Sequence, residues 1–151
     1  MVLAAYASNW YNLLLVGHLV SLLVAFAPLV VHPPLTVRTQ AQGEPVASAV
    51  AEELARTTQW VHLPALVVTG LFGLALVFAS GAQWDFSQIW LSLALLLWLT
   101  LCGVVGAITG PALRRLAAGD ANALRPLQWG NGIASGTFVV MLYLMFFKPG
   151  A

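Results

Sequence analysis

The segment that most constrains the fold is an apolar run near the start of the chain, residues 11–31, which contains no Asp, Glu, Lys or Arg. A helix needs about 20 such residues to cross the hydrocarbon core of a bilayer. A run of this length and composition therefore predicts a transmembrane helix, and the rest of the chain has to be compatible with that helix.

The few small or polar residues in this run fall on one side of the predicted helix. Successive members are three or four positions apart, which is the spacing of one helical stripe. They are His18, Ser21, Ala25, Pro28 and His32. Because polar side chains in a membrane point towards protein or a bound group, the stripe is predicted to face away from lipid.

Composition extends the membrane interpretation to the whole chain. Charged residues make up 7% of the 151 residues and hydrophobic residues 60%, whereas soluble domains carry roughly 25% charged residues. Lipid is therefore the predicted solvent. The net charge of +1 provides no basic surface and argues against nucleic acid as a partner. The single cysteine, Cys102, excludes an internal disulfide and is interpreted as a small buried hydrophobic residue.

Four apolar segments predict an all-α fold, an integral membrane four-helix bundle of up-down-up-down topology that forms a single domain over residues 1–151. The predicted spans cover about residues 11–32, 61–79, 88–109 and 129–147. Pro33 and Pro34 are expected to end the first helix, because proline lacks an N–H donor and disfavours helix at the residue before it. Residues 47–60 predict a short amphipathic helix that links the first two spans in solvent.

The positions of the basic residues predict the orientation of the bundle. Five of the six Lys and Arg residues lie in the loops that follow the first and third spans, and the sixth is Lys148 near the C-terminus. Cytoplasmic loops carry the excess of Lys and Arg. The chain is therefore predicted to be a multi-pass protein of the cytoplasmic (inner) membrane with both termini outside the cytoplasm.

Two glycine pairs predict close contact between helices. Gly106 and Gly110 are four residues apart, and so are Gly132 and Gly136. Small residues at this spacing let helix backbones approach closely in membranes. The contacts could form within the chain, in a homo-oligomer or in a larger membrane complex, and the sequence leaves these alternatives open.

The three histidines are candidate functional residues, because all of them lie at or within predicted spans. His32 ends the first span and His62 opens the second, so antiparallel helices would place them at the same depth. His18 lies 14 residues before His32, about 21 Å along a helix at ~1.5 Å per residue. We interpret all three as candidate cofactor-binding residues, since imidazole is a common axial ligand of haem iron.

His18 is the preferred ligand of the haem iron, and haem b is the predicted cofactor. Gly17, Ser21 and Ala25 beside His18 are small and would leave room for a flat macrocycle. One haem together with a second ligand, or two haems, would fit the separation between His18 and His32.

Ordinary structural roles are the alternative for each histidine. His32 and His62 would lie near a membrane interface, where a polar ring tip is common. His18 would instead form a hydrogen bond with a neighbouring carbonyl or with a polar side chain of another helix. The candidate side chains are Ser92, Asn131 and Ser135.

Other kinds of chemistry find little support in the pattern. No His, Asp and Glu residues cluster at spacings typical of zinc or di-iron sites. A Ser–His–Asp arrangement is not expected either, because all acidic residues lie in predicted loops. The absence of Asp, Glu, Lys and Arg from the predicted spans argues against an ion or proton pathway. The sequence therefore identifies no catalytic residue.

Several short motifs are similar to those of a known group of membrane proteins. His18 is followed by Pro33 at the end of the same predicted helix, and the second span starts near Pro64 and contains Gly-Leu pairs. A basic loop at residues 114–120 and a Lys-Pro pair at residues 148–149 complete the pattern. With these motifs the chain resembles the HemJ-type protoporphyrinogen oxidase group and its relatives, among them the copper-resistance D-like domain.

The resemblance implies a small four-helix membrane protein that binds haem b through His18 and oxidises protoporphyrinogen IX to protoporphyrin IX. The chain departs from the group at Gln88, where the group has a functional lysine in a Trp-x-x-x-Lys context. Glutamine forms hydrogen bonds but cannot carry a positive charge or titrate. The scaffold and the candidate ligand His18 carry over, and whether the chain is an enzyme is left open.

Three functional hypotheses follow from the sequence. The first is a haem- or porphyrin-associated membrane redox protein of the HemJ-like type. The second is a non-catalytic accessory subunit of a larger membrane complex of the respiratory or photosynthetic type, which the glycine pairs and the uncharged spans favour. The third is a small transporter or metal-resistance protein, which the lack of charged residues within the spans disfavours.

Overall fold

In the computed structural model, which describes residues 9–81 and 83–150, all regular secondary structure is helical. Four long helices account for most of it: α1 (Asn9–Gln40), α2 (Glu44–Ala79), α3 (Ile89–Ala117) and α4 (Ala121–Phe147). Each of the four is long and apolar enough to cross a membrane. The predicted all-α architecture is therefore confirmed for the described residues.

The first two helices run antiparallel. Near one end of their interface, His18 of α1 forms a hydrogen bond with the Thr69 carbonyl of α2. Further along α1, the ring of His32 lies beside the ring of His62. Residue numbers therefore rise along α1 as they fall along α2, and the predicted common depth of His32 and His62 is confirmed.

The contact between α2 and α3 is also antiparallel. Trp98 of α3 donates its indole N–H to the Leu66 carbonyl of α2 at 2.8 Å. Eight residues further along α3, Gly106 packs against Leu63, which lies earlier in α2.

The contact between α3 and α4 completes the predicted up-down-up-down topology. Thr109 near the end of α3 lies beside Gly130 in the first half of α4. Trp90 at the start of α3 lies under the ammonium group of Lys148, which follows α4. Each helix of the described chain therefore runs antiparallel to the next one.

The first helix is longer than the sequence predicted. It continues through Pro33 and Pro34 to Gln40, so the expectation that these prolines end the helix at His32 is wrong. The continuation is held by packing, because Leu35 lies against an apolar cluster of the other helices and Thr36 is buried. Burial in the bundle thus outweighs a local cost of about 3 kcal/mol for an internal proline.

The predicted linker helix over residues 47–60 is not a separate element. It is the first part of α2, which has 36 residues and is therefore about 54 Å long at ~1.5 Å per residue. A hydrocarbon core is only about 30 Å thick. The helices are therefore longer than the hydrocarbon core is thick. We call the beginning of α2 together with the ends of α1 and α3 the extension of the bundle.

Two main clusters of apolar side chains fill the bundle. The central cluster draws on all four helices and includes Ala25, Leu29, Leu66, Leu101, Val105, Ala134, Phe138 and Met141. The second cluster lies in the extension and includes Ala51, Leu54, Ala55, Ala112, Leu113, Leu116, Ala123 and Leu127. The extension has a core of its own, which explains why these residues are helical rather than a solvated linker.

The outer surface of the described bundle is strongly apolar. Large side chains on every helix are exposed, up to 84% for Phe146 and 76% for Phe78. An apolar surface of this extent is unusual for a soluble monomer. It is consistent with a multi-pass membrane protein, as the composition predicts.

The two glycine pairs differ in their surroundings. A Cβ atom added to Gly106 would lie 3.6 Å from Leu63, and one added to Gly110 would lie 3.8 Å from Thr58, so this pair faces α2. A Cβ atom added to Gly132 or Gly136 would have nothing within 4 Å. Only the first pair is therefore used for helix contact within the described chain.

Gly70 provides a sharper test of helix packing than either pair. A Cβ atom at this position would overlap the indole ring of Trp98, which the Leu66 hydrogen bond holds in place. We expect Gly70→Ala to destabilise the bundle by about 1–3 kcal/mol, the usual cost of overpacking. The measurement is thermal or denaturant unfolding of the detergent-solubilised protein.

Gly103→Ala is the matched control for this substitution, because it adds the same methyl group to an exposed helix glycine with no atom within 4 Å. It should leave stability unchanged or raise it by up to about 1 kcal/mol through helix propensity. Equal stabilities of the two variants would contradict the packing of α2 against α3.

Candidate functional site

His18 is buried between α1 and α2, and one of its ring nitrogens forms a hydrogen bond with α2. Its side chain is only 8% exposed, and its Nδ1 lies 2.9 Å from the Thr69 carbonyl oxygen. A carbonyl oxygen can only accept, so Nδ1–H is the donor and Nε2 is the nitrogen without a proton. A metal-binding histidine usually has its other ring nitrogen held by such an acceptor. Of the structural alternatives considered for His18, the neighbouring carbonyl is the one that forms.

Neighbouring residues of α2 position the His18 ring. The Thr69 hydroxyl donates to the Ala65 carbonyl at 2.7 Å, which keeps that side chain off the imidazole. Gly73 follows one turn later, and a Cβ atom there would lie 3.3 Å from Cε1 of His18. The ring is thus held by a carbonyl on one side and given space by a glycine on the other.

His18 and Thr69 line an apolar groove of about 370 Å³ between the helices. This volume falls within the range of about 300–1,000 Å³ typical of small-molecule sites. The walls are formed mainly by aliphatic, aromatic and thioether side chains, among them Leu22, Leu95, Trp98, Met141 and Met145. The groove therefore suits a mostly apolar small molecule.

Positive charge lies at one end of the groove. Lys148 lines it and places Nζ 4.1 Å from the centroid of the Trp84 ring, a cation–π contact. Within the described residues, the only ion pair joins Arg115 to Asp120, so Lys148 has no carboxylate partner there. The indole N–H of Trp90, which also lines the groove, is buried without a hydrogen-bond partner in the described chain. The ammonium group of Lys148 therefore suits an anionic group at this end of the groove.

Gln88, where the resembled group has a lysine, lies at the start of α3. Its amide nitrogen donates to the Gln83 carbonyl at 3.3 Å, and Gln88 is not among the residues that line the groove. The lysine that does line the groove is Lys148, from the opposite end of the chain. Only the folding of α4 against α3 brings it there.

The other two predicted site residues form a separate pair. The ring centroids of His32 and His62 are 6.3 Å apart, and the two rings are perpendicular. Both side chains are buried, His32 to 4% and His62 to 1% exposure. His32 follows His18 by 14 positions in α1, which corresponds to about 21 Å along the helix. The three histidines therefore occupy two places in the bundle.

Sequence reasoning missed that His62 lies in a π-helical turn. The turn covers Thr58–His62, and a second one in α3 covers Val105–Thr109. In each, the N–H that follows the turn bonds to the carbonyl five residues earlier, from Leu63 to Thr58 and from Gly110 to Val105. Such turns occur frequently at functional sites.

Both π-turns precede a proline, although the prolines inside α1 have no such turn, so a proline alone does not mark one. Each turn ends two residues before a proline, Pro64 after the first and Pro111 after the second. A proline has no N–H for the carbonyl four residues earlier and clashes with it. The wider turn absorbs that clash. His62 and Thr109 therefore occupy equivalent positions, two residues before a helix proline.

Comparison with known proteins adds no family to this description. No protein-family model, no curated protein and no solved structure matches the chain. The resemblance to the HemJ-type group stays an expectation that rests on the sequence motifs alone.

Proposed function

We propose that the protein is a multi-pass membrane protein that binds haem b in the His18 groove and takes part in a redox reaction. The observation that carries the proposal is the arrangement of His18, whose Nδ1–H is held by the Thr69 carbonyl at 2.9 Å while its ring lines an apolar groove. An imidazole with a fixed tautomer in an apolar pocket is the protein side of a haem site.

The residues of the groove fit the three chemical parts of a haem. His18 would bind the iron through Nε2, with Thr69 holding the ring and Gly73 giving it space. The apolar and aromatic walls would enclose the macrocycle and exclude water. Lys148 would take a propionate group. Bound haem would supply one-electron redox chemistry, tuned by its axial ligand and by the polarity of the walls.

Oxidation of protoporphyrinogen IX, the activity that the resemblance implies, is a narrower proposal. Gln88 stands where the group has its functional lysine and does not line the groove. The groove supports haem binding through His18 independently of that position. We therefore propose the haem-associated redox role and leave the substrate to experiment.

Haem content is the direct test of the proposal. The purified protein, produced with haem supplied, is expected to carry about one b-type haem per chain by pyridine haemochrome. His18→Gly should lose most of this haem, because His18 is the only histidine among the described residues that line the groove. Added imidazole should restore haem binding to that variant, since it replaces the missing side chain without altering the backbone.

His62→Gln is the control for the haem test, because it removes an imidazole that does not line the groove. It should keep its haem. A colourless wild-type protein, or full haem content in His18→Gly without imidazole, would show that His18 is not the ligand. If added imidazole restores haem binding to His18→Gly, the variant is folded and lacks only the ligand.

Membrane orientation belongs to the same proposal. Arg38, Arg56, Arg114 and Arg125 lie near the end of the bundle where α1 passes to α2 and α3 to α4. Lys148 lies at the other end, so the positive-inside rule places both termini outside the cytoplasm of an inner membrane. We expect a C-terminal alkaline phosphatase fusion to be active and a C-terminal fluorescent-protein fusion to be dark. The reverse pattern would overturn the orientation.

Membership of a larger membrane complex is a second candidate role, and one observation favours it. A cavity of about 390 Å³, lined by both apolar and polar side chains, lies between α1 and α4, away from the His18 groove. Its polar lining is neutral and consists of Thr36, Gln40, Gln128, Asn131 and Ser135. Gly132 lines the same cavity without any neighbour for a side chain. Asn131 and Ser135 fall within the predicted fourth span, where polar groups that face lipid are costly, so a protein partner or a second copy would cover this part of the face.

Electrophoresis under native conditions in mild detergent tests this role. The wild-type chain is expected to migrate with partners or as an oligomer, and Gly132→Leu should release it by blocking the close approach of another helix. Gly103→Leu is the control, since Gly103 is also free of neighbours but lies on α3. Migration of the wild-type protein as a single chain would remove this candidate.

A further inference from the structure

Four buried polar side chains lie at one level of the bundle, away from the groove. His32 comes from α1, Thr58 and His62 from α2 and Thr109 from α3, and each is at most 4% exposed. Thr58 lies beside Gly110, the residue after Thr109, so Thr58 of α2 and Thr109 of α3 are at the same level of the bundle. The fourth helix contributes Gly130, where a Cβ atom would lie 2.8 Å from the Thr109 hydroxyl.

The two threonines of this cluster differ from other threonines in the helices. The usual arrangement is a hydroxyl that donates to the carbonyl four residues earlier, at distances of 2.7–3.0 Å. It is found at Thr36, Thr39, Thr69 and Thr100. The hydroxyls of Thr58 and Thr109, which lie in the two π-turns, have no hydrogen-bond partner within the described chain. These two hydroxyls are therefore available to a hydrogen-bond partner other than the helix backbone.

His62 shows the same lack of partners at both ring nitrogens. Its side chain is 1% exposed, and neither Nδ1 nor Nε2 forms a hydrogen bond within the described chain. A neutral imidazole carries one donor and one acceptor. Whatever satisfies His62 must therefore accept a hydrogen bond at one nitrogen and donate at the other.

A metal ion does not meet this requirement. It would bind one nitrogen of His62 and leave the other without the acceptor that metal-binding histidines have, and which His18 does have. In the described chain, no group of three or more His, Cys, Asp and Glu residues is close enough to hold a metal. No carboxylate is therefore available beside the pair to balance a cation. Water both donates and accepts, and buried water typically forms about three hydrogen bonds.

We propose that His32, Thr58, His62 and Thr109 form an internal water-binding site at the level of the two π-turns. Water there satisfies the two hydroxyls and both nitrogens of His62, and it joins the two imidazoles into one hydrogen-bonded unit. The site is independent of haem binding at His18.

Radiolytic footprinting of the detergent-purified protein tests this site. Hydroxyl radicals generated from bound water oxidise the side chains next to that water, even when bulk solvent does not reach them. We expect the oxidation rate of His62, corrected for intrinsic reactivity, to exceed that of Phe138 several-fold. Phe138 is equally buried, at 3% exposure, but lies in the apolar core. Equal protection of His62 and Phe138 would overturn the proposal.

Variants and two further measurements identify the source of any labelling. Thr58→Val and Thr109→Val remove the hydroxyls without changing side-chain shape, so they should lower the oxidation rate of His62. Thr100→Val is the control, because the Thr100 hydroxyl already donates to the Leu96 carbonyl within α3. This variant should leave the oxidation rate of His62 unchanged. If the purified wild-type protein contains one transition-metal ion per chain and His62→Gln loses it, the site binds a metal rather than water. That result would overturn the proposal. Fast amide exchange across Thr58–His62 would assign the labelling to local opening and overturn the proposal.

Discussion

In hydrocarbon, every polar group has to find its partner inside the protein, because no water is available to provide one. The bundle meets this requirement most clearly where the polar stripe of α1 faces α2. There His18 reaches the Thr69 carbonyl, and Ser21 turns its hydroxyl back onto the Gly17 and His18 carbonyls of its own helix. The remaining surface of α1 can then be aliphatic and face lipid. This contact joins α1 to α2, and α3 in turn packs on α2 through the Trp98–Leu66 hydrogen bond.

Prolines shape the interior as strongly as the polar stripe does. Pro64 and Pro111 each follow a π-turn that accommodates the missing N–H without ending the helix. The wider turns alter which way the side chains within them point. The hydroxyls of Thr58 and Thr109 do not bond to their own helix. In this they differ from the hydroxyls of Thr36, Thr39, Thr69 and Thr100. One local backbone constraint, used twice, produces a polar level in an otherwise apolar core.

The contrast between His18 and His62 shows that burial alone does not define a histidine's role. Both are nearly enclosed, but His18 has one nitrogen bound to a carbonyl and lines a groove, whereas His62 has neither nitrogen bound within the described chain. The first arrangement is suited to a ligand with one open coordination position. The second is suited to a partner that donates and accepts at the same time. Hydrogen-bond partners therefore separate residues that look alike by sequence.

The sequence by itself determined the four apolar helices, the inward stripe of α1 and the common depth of His32 and His62, because hydropathy and helical period depend only on local order. Tertiary structure alone decided that α1 continues past Pro33, that Lys148 reaches the groove and which nitrogens of the histidines are bound. Those outcomes depend on contacts between residues far apart in the chain, and packing energy there exceeds local helix preference.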